Sequence, residues 1–354
     1  MNSPAATPAT IRASSPANAP GKWRQRTAAT IGIALGMGVL VAGVAIGTSR
    51  LPLADAVSGL LGRGDPLIVT VIRELRLPRA LLGLGVGAAL AVAGVLMQAV
   101  FRNPLASPDL LGASSGASFG AILSFSLGIA TAMPLSVPLF AVGGAMAVLL
   151  LVLWFSRETG RLDSAGLLLA GIALTSFISA LNSALLAATL PYWDLSRALT
   201  TWLLGGLTDR SWLHVGLLAP GLLVGIAVAL ASHRALDLMT QGDEVASALG
   251  VNVKRVRQLA LVAAALLAGS AVAVSGLIGF VGLVVPHALR LVVGPAHGIL
   301  LPLAAIWGAC FLGAMDVGAR LVGRTVELPL GVVTALVGAP FFAWLIARSR
   351  GRIG

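Results

Sequence analysis

Two groups of charged residues have the types and spacing that suit ion pairing or the binding of an anionic partner. The groups are Arg73, Glu74, Arg76 and Arg79 in RELRLPR, and Asp316, Arg320, Arg324 and Glu327 in DVGARLVGRTVE. A guanidinium group binds a carboxylate or another oxyanion through two parallel hydrogen bonds. These arginines can therefore pair with the neighbouring carboxylates or with lipid headgroups, or they can present positive charge to an acidic protein or an anionic solute.

The polar stretch 232–258, SHRALDLMTQGDEVASALGVNVKRVRQ, interrupts the apolar second half of the chain. It predicts a short helix with Thr240 as its N-cap and Asp243 in the position of a capping-box carboxylate. Asp243 and Glu244 fall in the first turn, where negative charge suits the helix dipole. Gly250 can adopt the left-handed conformation that ends a helix.

One face of this short helix is apolar, because Val245, Ala248 and Leu249 follow one another at helical spacing. A small helix of this kind at a membrane surface is either an ordinary interfacial helix or a part that docks into another protein. The spacing alone does not separate the two interpretations.

A stripe of polar side chains crosses an otherwise apolar run. It consists of Thr175, Ser179, Asn182 and, slightly off the line, Ser183. Such groups are costly in contact with lipid, so we expect them to face another helix or a pore. Hydrogen bonding between helices is the commoner use of these side chains, and the lining of a pathway is the alternative.

The patterns of catalytic and metal-binding sites are not found in the sequence. The four histidines lack the spacing of a metal site, and neither Lys22 nor Lys254 completes a GxxxxGK[ST] phosphate-binding loop. We therefore expect no metal site, no cofactor and no nucleotide hydrolysis in this chain. The single cysteine, Cys310, lies in an apolar run and is expected to have a packing role.

The composition of the chain is that of a membrane protein. Hydrophobic residues make up 57% and charged residues 10% of its 354 residues, and its mean hydropathy is +0.96; these values exclude an ordinary soluble domain. The net charge of +11 does not indicate a nucleic-acid partner, because the basic residues lie in short loops between apolar runs, where they face lipid headgroups.

Ten apolar runs predict ten membrane-spanning helices in an all-α protein. They lie near residues 27–47, 80–101, 110–130, 134–155, 165–190, 212–231, 258–280, 281–294, 299–318 and 328–347. The run 281–294 is short for a crossing of ~20 residues. Residues 1–26 are expected to form a disordered tail and residues 27–354 one transmembrane domain. Basic residues at both ends predict that both termini, and the stretch 232–258, are cytoplasmic.

A short internal repeat suggests how these spans are arranged. GAALAVAG at 87–94 and GSAVAVSG at 269–276 agree at five of eight positions and lie in the second and seventh runs. Because an odd separation reverses the orientation of a span, the match predicts two five-helix halves in inverted orientation. Shared composition is the alternative, since small residues recur wherever helices pack closely in lipid.

The predicted topology places both arginine groups on the outer side of the membrane, against the positive-inside rule. Because two separated segments break the rule, we favour a functional interpretation over pairing alone. Asp316 lies near the outer end of its run and is expected to pair with Arg320. Arg50 and Arg63 add further positive charge to the same outer side.

Four segments, in order along the chain, carry a resemblance to a known family. They are RLPRALLGLGVGAALAVAGVLMQAVFRNPLASPDLLGASSGA, GDEVASALGVNVKRVR, SGLIGFVGLVVPHALRLVVG and ELPLGVVTALVGAPFFAWLI. They resemble the FecCD-type permease subunits of bacterial ABC importers for iron–siderophore, haem and vitamin B12 chelates. The resemblance extends from about residue 29 to the end. It implies ten transmembrane helices with cytoplasmic termini in the inner membrane and no catalytic residues.

The resemblance also implies partners and roles for particular residues. The partners are ATP-binding cassette ATPase subunits, an extracytoplasmic substrate-binding protein and a second permease subunit, identical or related. The residues implied to couple to the ATPase are Gly242, Asp243, Glu244, Ala246, Leu249 and Gly250. Arg76, Arg79 and Arg320 match the family's positions for salt bridges to the binding protein. The stripe of Thr175, Ser179, Asn182 and Ser183 falls where family members line the pathway.

The cargo implied by the resemblance is a ferric siderophore, with vitamin B12 or haem as the alternative within the same family. A transporter driven by a proton or sodium gradient is the rival from another class. Ionisable residues deep within the spans would mark such a transporter, and Asp316 alone comes near that position in the sequence.

Overall fold

The computed structural model describes residues 21–47, 52–133, 135–158, 164–322 and 327–350. All regular elements in these ranges are helices. The α-helices are α1 (Lys22–Ala45), α2 (Leu53–Leu60), α3 (Pro66–Thr70), α4 (Leu77–Val100), α5 (Ala113–Ser126), α6 (Ile129–Ala132), α7 (Ser136–Glu158), α8 (Ser164–Thr189), α9 (Trp193–Leu203), α10 (Trp212–Thr240), α11 (Asp243–Ala248), α12 (Val253–Ser275), α13 (Val281–Val293), α14 (His297–Val322) and α15 (Leu330–Arg350). A π-helical turn, Val71–Arg76, joins α3 to α4, and a 3₁₀ turn, Pro108–Leu111, precedes α5.

Seven of the described helical segments are long and apolar enough to cross a membrane by length and composition. They are α1, the continuous segment Pro66–Val100, α7, α8, α10, α12 and α14. The shorter helices α5, α13 and α15 coincide with the three remaining apolar runs. The prediction of an all-α polytopic protein is therefore confirmed, and each predicted run is occupied by a helix.

Helix α13 is short because the chain breaks before it. Gly276 ends α12 with a φ of +67°, and a β-carbon there would lie 2.1 Å from the carbonyl oxygen of Trp202. Phe280, also left-handed with a φ of +68°, starts the next helix. Broken spans of this kind are tolerated at membrane depth where the backbone is buried in protein or lines a cavity.

Helices α4 and α12 form the centre of the bundle and contain the two related eight-residue segments. In each helix, 78% of the most apolar stretch is buried. Helix α4 packs against α14, and its counterpart α12 packs against α7 in the same way. Likewise, α8 contacts α5 and α7, and its counterpart α15 contacts α13 and α14. These paired contacts agree with two five-helix halves in inverted orientation.

Glycines bring the backbones of the central helices together. A β-carbon on Gly94 would lie 1.8 Å from the carbonyl oxygen of Gly282, and one on Gly87 would lie 2.2 Å from that of Gly308. Neither contact can be relieved by a side-chain rotation, because the obstructing atoms belong to the backbone. The small residues of the repeated segment therefore allow close helix packing, which is their usual role in membrane proteins.

We expect Gly94→Ala to destabilise the folded protein by about 3 kcal/mol, because the added methyl group must push α4 away from α13. Thermal unfolding of the purified protein in detergent measures the effect. Gly38→Ala is the matched control, since a β-carbon on Gly38 meets no described atom within 4 Å. Equal melting temperatures for the two variants would contradict the packing that the structure shows here.

The two ends of the bundle are named here after one residue each. The Asp243 face carries α11 and the end of α10, where Asp237 accepts a hydrogen bond of 2.8 Å from the backbone N–H of His297 at the start of α14. The Asp316 face is the opposite end, at which α14 finishes and α4 begins. Each face holds ion pairs among the described residues.

The start of the short helix differs from its predicted form. Thr240 is the last residue of α10 rather than an N-cap, and its hydroxyl donates to the carbonyl of Asp237. Helix α10 continues through the polar stretch because Leu236 and Met239 are buried against the bundle, leaving them 0% and 1% exposed. Burial on one side thus extends the helix nine residues beyond the apolar run that predicted it.

The cap of α11 is instead Gly242, whose φ of +129° is open only to glycine. Asp243 is the first residue of the helix, so it is not at the capping-box position, but it and Glu244 lie in the first turn as predicted. Gly250 has a φ of +84°, which confirms the predicted left-handed end.

Candidate functional site

The ion pairs on the Asp316 face join three segments of the chain. Arg79 on α4 lies 2.9 Å from both Asp316 on α14 and Glu327 in the following loop. Asp316 also pairs with Arg320 at 2.7 Å, one helical turn further along. The predicted pairing of Asp316 with Arg320 is therefore confirmed. The other carboxylate oxygen of Asp316 accepts a hydrogen bond from Arg79, which lies 237 residues away in the sequence.

Two of the predicted docking arginines are buried in this structure. Arg76 is 7% and Arg320 9% exposed. Arg76 donates to the carbonyls of Val44 and Ala45, each at 3.0 Å, and Arg320 donates to the carbonyl of Gly43 at 2.9 Å. These bonds satisfy the last carbonyls of α1, which lack partners within their own helix.

The neighbouring arginines of the Asp316 face differ in exposure. The side chain of Arg79 is 14% exposed, whereas Arg63 and Arg73 are exposed. Arg73 donates to the carbonyl of Leu60 at 2.8 Å. Arg50 and Arg324 lie outside the described residues. A salt bridge from Arg76 or Arg320 to another protein would thus require bonds to α1 to open, whereas Arg63 and Arg73 already lie at the surface.

Glu327 is fixed at the edge of this cluster. Burial alone would raise the pKa of its carboxyl, but hydrogen bonds from Arg79 and Thr208, with the positive charge of Arg79, lower the pKa below its usual range. A carboxyl with a lowered pKa stabilises the folded state above the pKa that it has when unfolded, and this stabilisation is lost as the pH falls through the folded-state value. The cluster is therefore intact at neutral pH.

On the Asp243 face, Asp243 holds two arginines from distant parts of the chain. Arg257 on α12 lies 2.6 Å from one carboxylate oxygen, and Arg102, just after α4, pairs with the other. Arg102 has a φ of +47°, an unusual backbone conformation for a residue with a side chain. Asp243 thereby connects α11 to the two central helices.

Helix α11 is anchored on one side and open on the other. Ala246 is fully buried, whereas Val245 is 47% and Leu249 62% exposed. Glu244 and Ala248 are exposed as well. The apolar face predicted from Val245, Ala248 and Leu249 is thus the face turned away from the bundle.

The polar stripe lines a cavity of about 480 Å³ beside α8. All four residues, Thr175, Ser179, Asn182 and Ser183, contribute to its wall. Across the cavity lie Asp109 of the 3₁₀ turn and the hydroxyls of α5, which are Ser114, Ser115 and Ser118. Apolar walls come from Ile122, Leu186, Leu203, Leu277 and Ile278, and Gly279 completes the lining.

Only part of the stripe is used to join helices. Asn182 donates to the carbonyl of Ser115 at 3.1 Å, which ties α8 to α5. The hydroxyl of Thr175 and the carbonyl oxygen of Asn182 are buried and have no hydrogen-bond partner among the described residues. Buried polar atoms are rarely left in this state without water or a ligand nearby, so the cavity has hydrogen-bonding capacity to spare.

Three residues that matter for these sites were not singled out from the sequence. Arg102 and Asp109 lie in the loop FRNPLASPDLLG, whose two prolines mark a broken helix entry. Arg257 is one of several basic residues after α11, and nothing in its spacing distinguishes it from Lys254 or Arg255. The two prolines of the loop could have drawn attention to it in the sequence. The sequence did not indicate which carboxylate each arginine would pair with.

Comparison with known proteins assigns the chain to a family. Residues 34–348 match the FecCD transport family. The chain belongs to the FecCD transport family. The resemblance of the four ordered segments is thereby confirmed, and so is the prediction that the chain is a transport permease.

Two relatives and one solved structure illustrate the match. The Fe(3+) dicitrate transport system permease protein FecD of Escherichia coli is 43% identical over 284 residues, 79% of this chain and 86% of its own length. The vitamin B12 import system permease protein BtuC of Klebsiella pneumoniae is also 43% identical, over 79% of this chain and 83% of its own. A solved structure of an inward-facing metal-chelate type ABC transporter is 32% identical, with a TM-score of 0.81 over 90% of this chain and 98% of that one.

These matches place the chain among multi-pass membrane permeases of ABC importers. The two relatives have the same identity to this chain and different named cargoes. Overall similarity to FecCD members therefore establishes the transport class but not the solute.

Proposed function

We propose that this chain is the membrane permease of an ATP-driven importer that moves a ferric siderophore across the cytoplasmic membrane. The observation that carries the proposal is the open apolar face of α11, which is joined to both central helices through Asp243. A separate ATPase that binds this helix can move α4 and α12 together. Vitamin B12 or haem is the alternative cargo.

The proposal assigns a side of the membrane to each face. The Asp243 face, with the basic residues of α1 and of the start of α12, is cytoplasmic and binds the ATPase. The Asp316 face is extracytoplasmic and receives the substrate-binding protein. The exposed Arg63 and Arg73 and the partly exposed Arg79 provide positive charge there, and Arg76 and Arg320 join that surface if their bonds to α1 open. Both chain termini are cytoplasmic in this arrangement.

The cavity beside α8 is proposed to form one wall of the pathway, and a second permease subunit, identical or related, supplies the other. Helix α8 supports this, since only 17% of its apolar stretch is buried within the chain and its polar stripe would otherwise face lipid. Asn182 contributes both to helix packing and to the lining of the proposed pathway, because its amide ties α8 to α5 and its side chain also lines the cavity.

Uptake assays test the proposed function. A strain deleted for this gene is expected to lose accumulation of one labelled ferric siderophore and to regain it when the gene is restored. Loss of labelled cobalamin or haem uptake alone would establish the alternative cargo. Uptake that persists after ATP depletion and stops when the proton gradient is collapsed would instead establish a secondary transporter.

We expect Leu249→Asp to lower the affinity of the permease for its ATPase by at least about ten-fold, because a charge replaces an exposed apolar contact at the centre of a docking surface. Co-purification and titration of the two subunits measure the effect. Leu61→Asp is the matched control, since Leu61 is 65% exposed on the Asp316 side, after α2. If both variants bind the ATPase as the parent does, α11 is not its docking site.

A further inference from the structure

A crevice of about 740 Å³ opens along α1, on the side of the bundle where α13, α14 and α15 lie. Helices α13 and α14 form the floor of this α1 crevice, and α1 and α15 stand on either side of it. Its lining is mainly apolar, and Arg24 is the single charged residue among the described residues that line it. Ile31 is 52% and Leu291 64% exposed. The crevice is therefore open to the surroundings of the described bundle.

The direction of α1 determines which end of the crevice is charged. Trp307 donates from its indole nitrogen to the carbonyl of Ala28 at 3.2 Å, and Arg320 donates to the carbonyl of Gly43 at 2.9 Å. Because residues further along α1 meet residues further along α14, the two helices run parallel. Helix α14 begins on the Asp243 face. The first turn of α1 therefore lies towards that same face.

The start of α1 carries positive charge that the fold does not neutralise. Lys22, Arg24 and Arg26 are exposed, and none of them forms an ion pair with a carboxylate of the described residues. The guanidinium carbon of Arg24 lies 5.7 Å from the centre of the Trp23 ring. Tryptophan and basic side chains at the end of a span are typical of the level of the lipid headgroups. The charged end of the crevice is therefore expected at that level.

The length of the crevice suits one leaflet of a bilayer. Its wall on α1 extends from Trp23 to Ile31, which is about 12 Å at 1.5 Å per residue. One leaflet contributes about half of a hydrocarbon core that is ~30 Å thick. An acyl chain finds surroundings as apolar in the bulk lipid as in the crevice, so the charged end must decide which lipid is retained.

We infer that the α1 crevice binds an anionic phospholipid of the cytoplasmic leaflet, with the phosphate at Arg24 and an acyl chain between α1 and α15. A guanidinium group donates hydrogen bonds to phosphate oxygens, and basic pockets between transmembrane helices on the cytoplasmic side suit anionic headgroups. The described lining has no carboxylate that could bind the amine of a zwitterionic lipid. The inference goes beyond the proposed function and takes from it only the side of the membrane.

Lipid titration of the full-length permease in detergent tests the charged end. Dioleoylphosphatidylglycerol, which is anionic, and dioleoylphosphatidylethanolamine, which is zwitterionic, are added separately, and the bound lipids are counted by native mass spectrometry. The parent protein should bind the anionic lipid more tightly. Arg24→Gln is expected to lower the affinity for that lipid about five-fold, which is the effect of one basic residue at an anionic lipid surface.

The matched control for Arg24→Gln is Arg255→Gln. Arg255 is an exposed arginine near the start of α12 and does not line the crevice, so its replacement should leave the affinity for the anionic lipid unchanged. Equal losses of affinity in the two variants would show that overall positive charge attracts the lipid and would overturn the inference. Equal affinities of the parent protein for the two lipids would overturn it as well.

A bulky substitution on the crevice floor tests the acyl-chain part without changing any charge. Ala288 lines the crevice on α13, and Ala288→Trp should lower the affinity for the anionic lipid at least about five-fold, because the indole occupies the space that the acyl chain needs. Ala227→Trp places the same side chain on an exposed position of α10 and should have no effect.

The mass of the permease assembly in the same spectra tests another occupant of the crevice. If Ala288→Trp disrupts the association of permease subunits and leaves lipid binding unchanged, a second copy of the chain covers the crevice and the inference is wrong. Transport is not measured in this experiment, so its failure leaves the proposed function standing. Conversely, failure of the uptake assays would leave the measured lipid contact standing.

Discussion

Asp243→Lys is expected to lower ATP-driven uptake by at least about ten-fold while the assembled complex still hydrolyses ATP. Asp243 joins α11 to Arg102 after α4 and to Arg257 on α12. The substitution removes both ion pairs and adds a third positive charge beside the two arginines, so α11 separates from the helices that it should move. Reconstituted complexes allow uptake and phosphate release to be measured on the same sample.

A charge exchange makes this prediction specific. Combining Asp243→Arg with Arg102→Asp restores one opposite-charge pair at the same place and should recover part of the coupling. Glu74→Gln is the control, because Glu74 is an exposed carboxylate on the Asp316 face, away from α11, and its removal adds no positive charge. Normal uptake by Asp243→Lys would show that the ionic connection is not required for coupling.

The ion pair between Asp243 and Arg102 also connects α11 to the loop that lines the cavity beside α8. Arg102 and Asp109 belong to the one loop that follows α4, and the 3₁₀ turn of that loop rests on α8. A shift of α11 can therefore reach the wall of the pathway through a short and well-packed segment. The ion pair at Asp243 thus provides a physical link between the proposed ATPase-binding surface and the proposed pathway.

Asp316→Ala should produce the largest loss of stability, about 3–5 kcal/mol, because it leaves the buried guanidinium group of Arg320 and the partly exposed one of Arg79 without their shared carboxylate. Arg79 would keep Glu327, and Arg320 would keep backbone carbonyls, but neither arrangement replaces the lost negative charge. Thermal unfolding of the purified protein in detergent reports the change. Asp65→Ala, on the same side but exposed, should cost about 1 kcal/mol as the loss of a helix cap.

Substitutions in the Asp316 cluster can distinguish a role of these residues in stabilising the fold from a role in docking the binding protein. If the cluster only supports the fold, Asp316→Ala and Arg79→Gln should lower the melting temperature and leave the affinity of folded protein for the binding protein unchanged. If Arg79 docks the partner directly, Arg79→Gln should weaken that affinity beyond its effect on stability. A melting temperature of Asp316→Ala equal to that of the parent would show that the buried ion pairs contribute nothing to the fold.

Much of the fold could be predicted because the membrane makes local sequence informative. Each apolar run had to become a helix, since backbone groups in lipid must bond within their own segment. The length of such a run indicates whether it can cross. The end of α10 was not predicted, because its last turns are polar in sequence. The burial of Leu236 and Met239 against the bundle stabilises those turns as a helix.

The candidate sites were predictable in part. Asp316 and Arg320 are one helical turn apart, and pairing at that spacing follows from helix geometry. The third member, Arg79, joins them across 237 residues, and no local pattern identifies such a partner. The polar stripe on α8 was visible in the sequence, but the carboxylate opposite it, Asp109, was brought there by the packing of a separate loop.

The sequence by itself determined that this is an all-α membrane protein of the FecCD type, with a short polar helix on one side and arginines on the other. These features depend on composition and on neighbours within a few residues. Only the tertiary structure decided that Arg76 and Arg320 are buried, that Asp243 holds two distant arginines, and that Asp109 faces the polar stripe. Such contacts depend on how helices meet, which is set by the combined packing of the whole bundle rather than by any one segment.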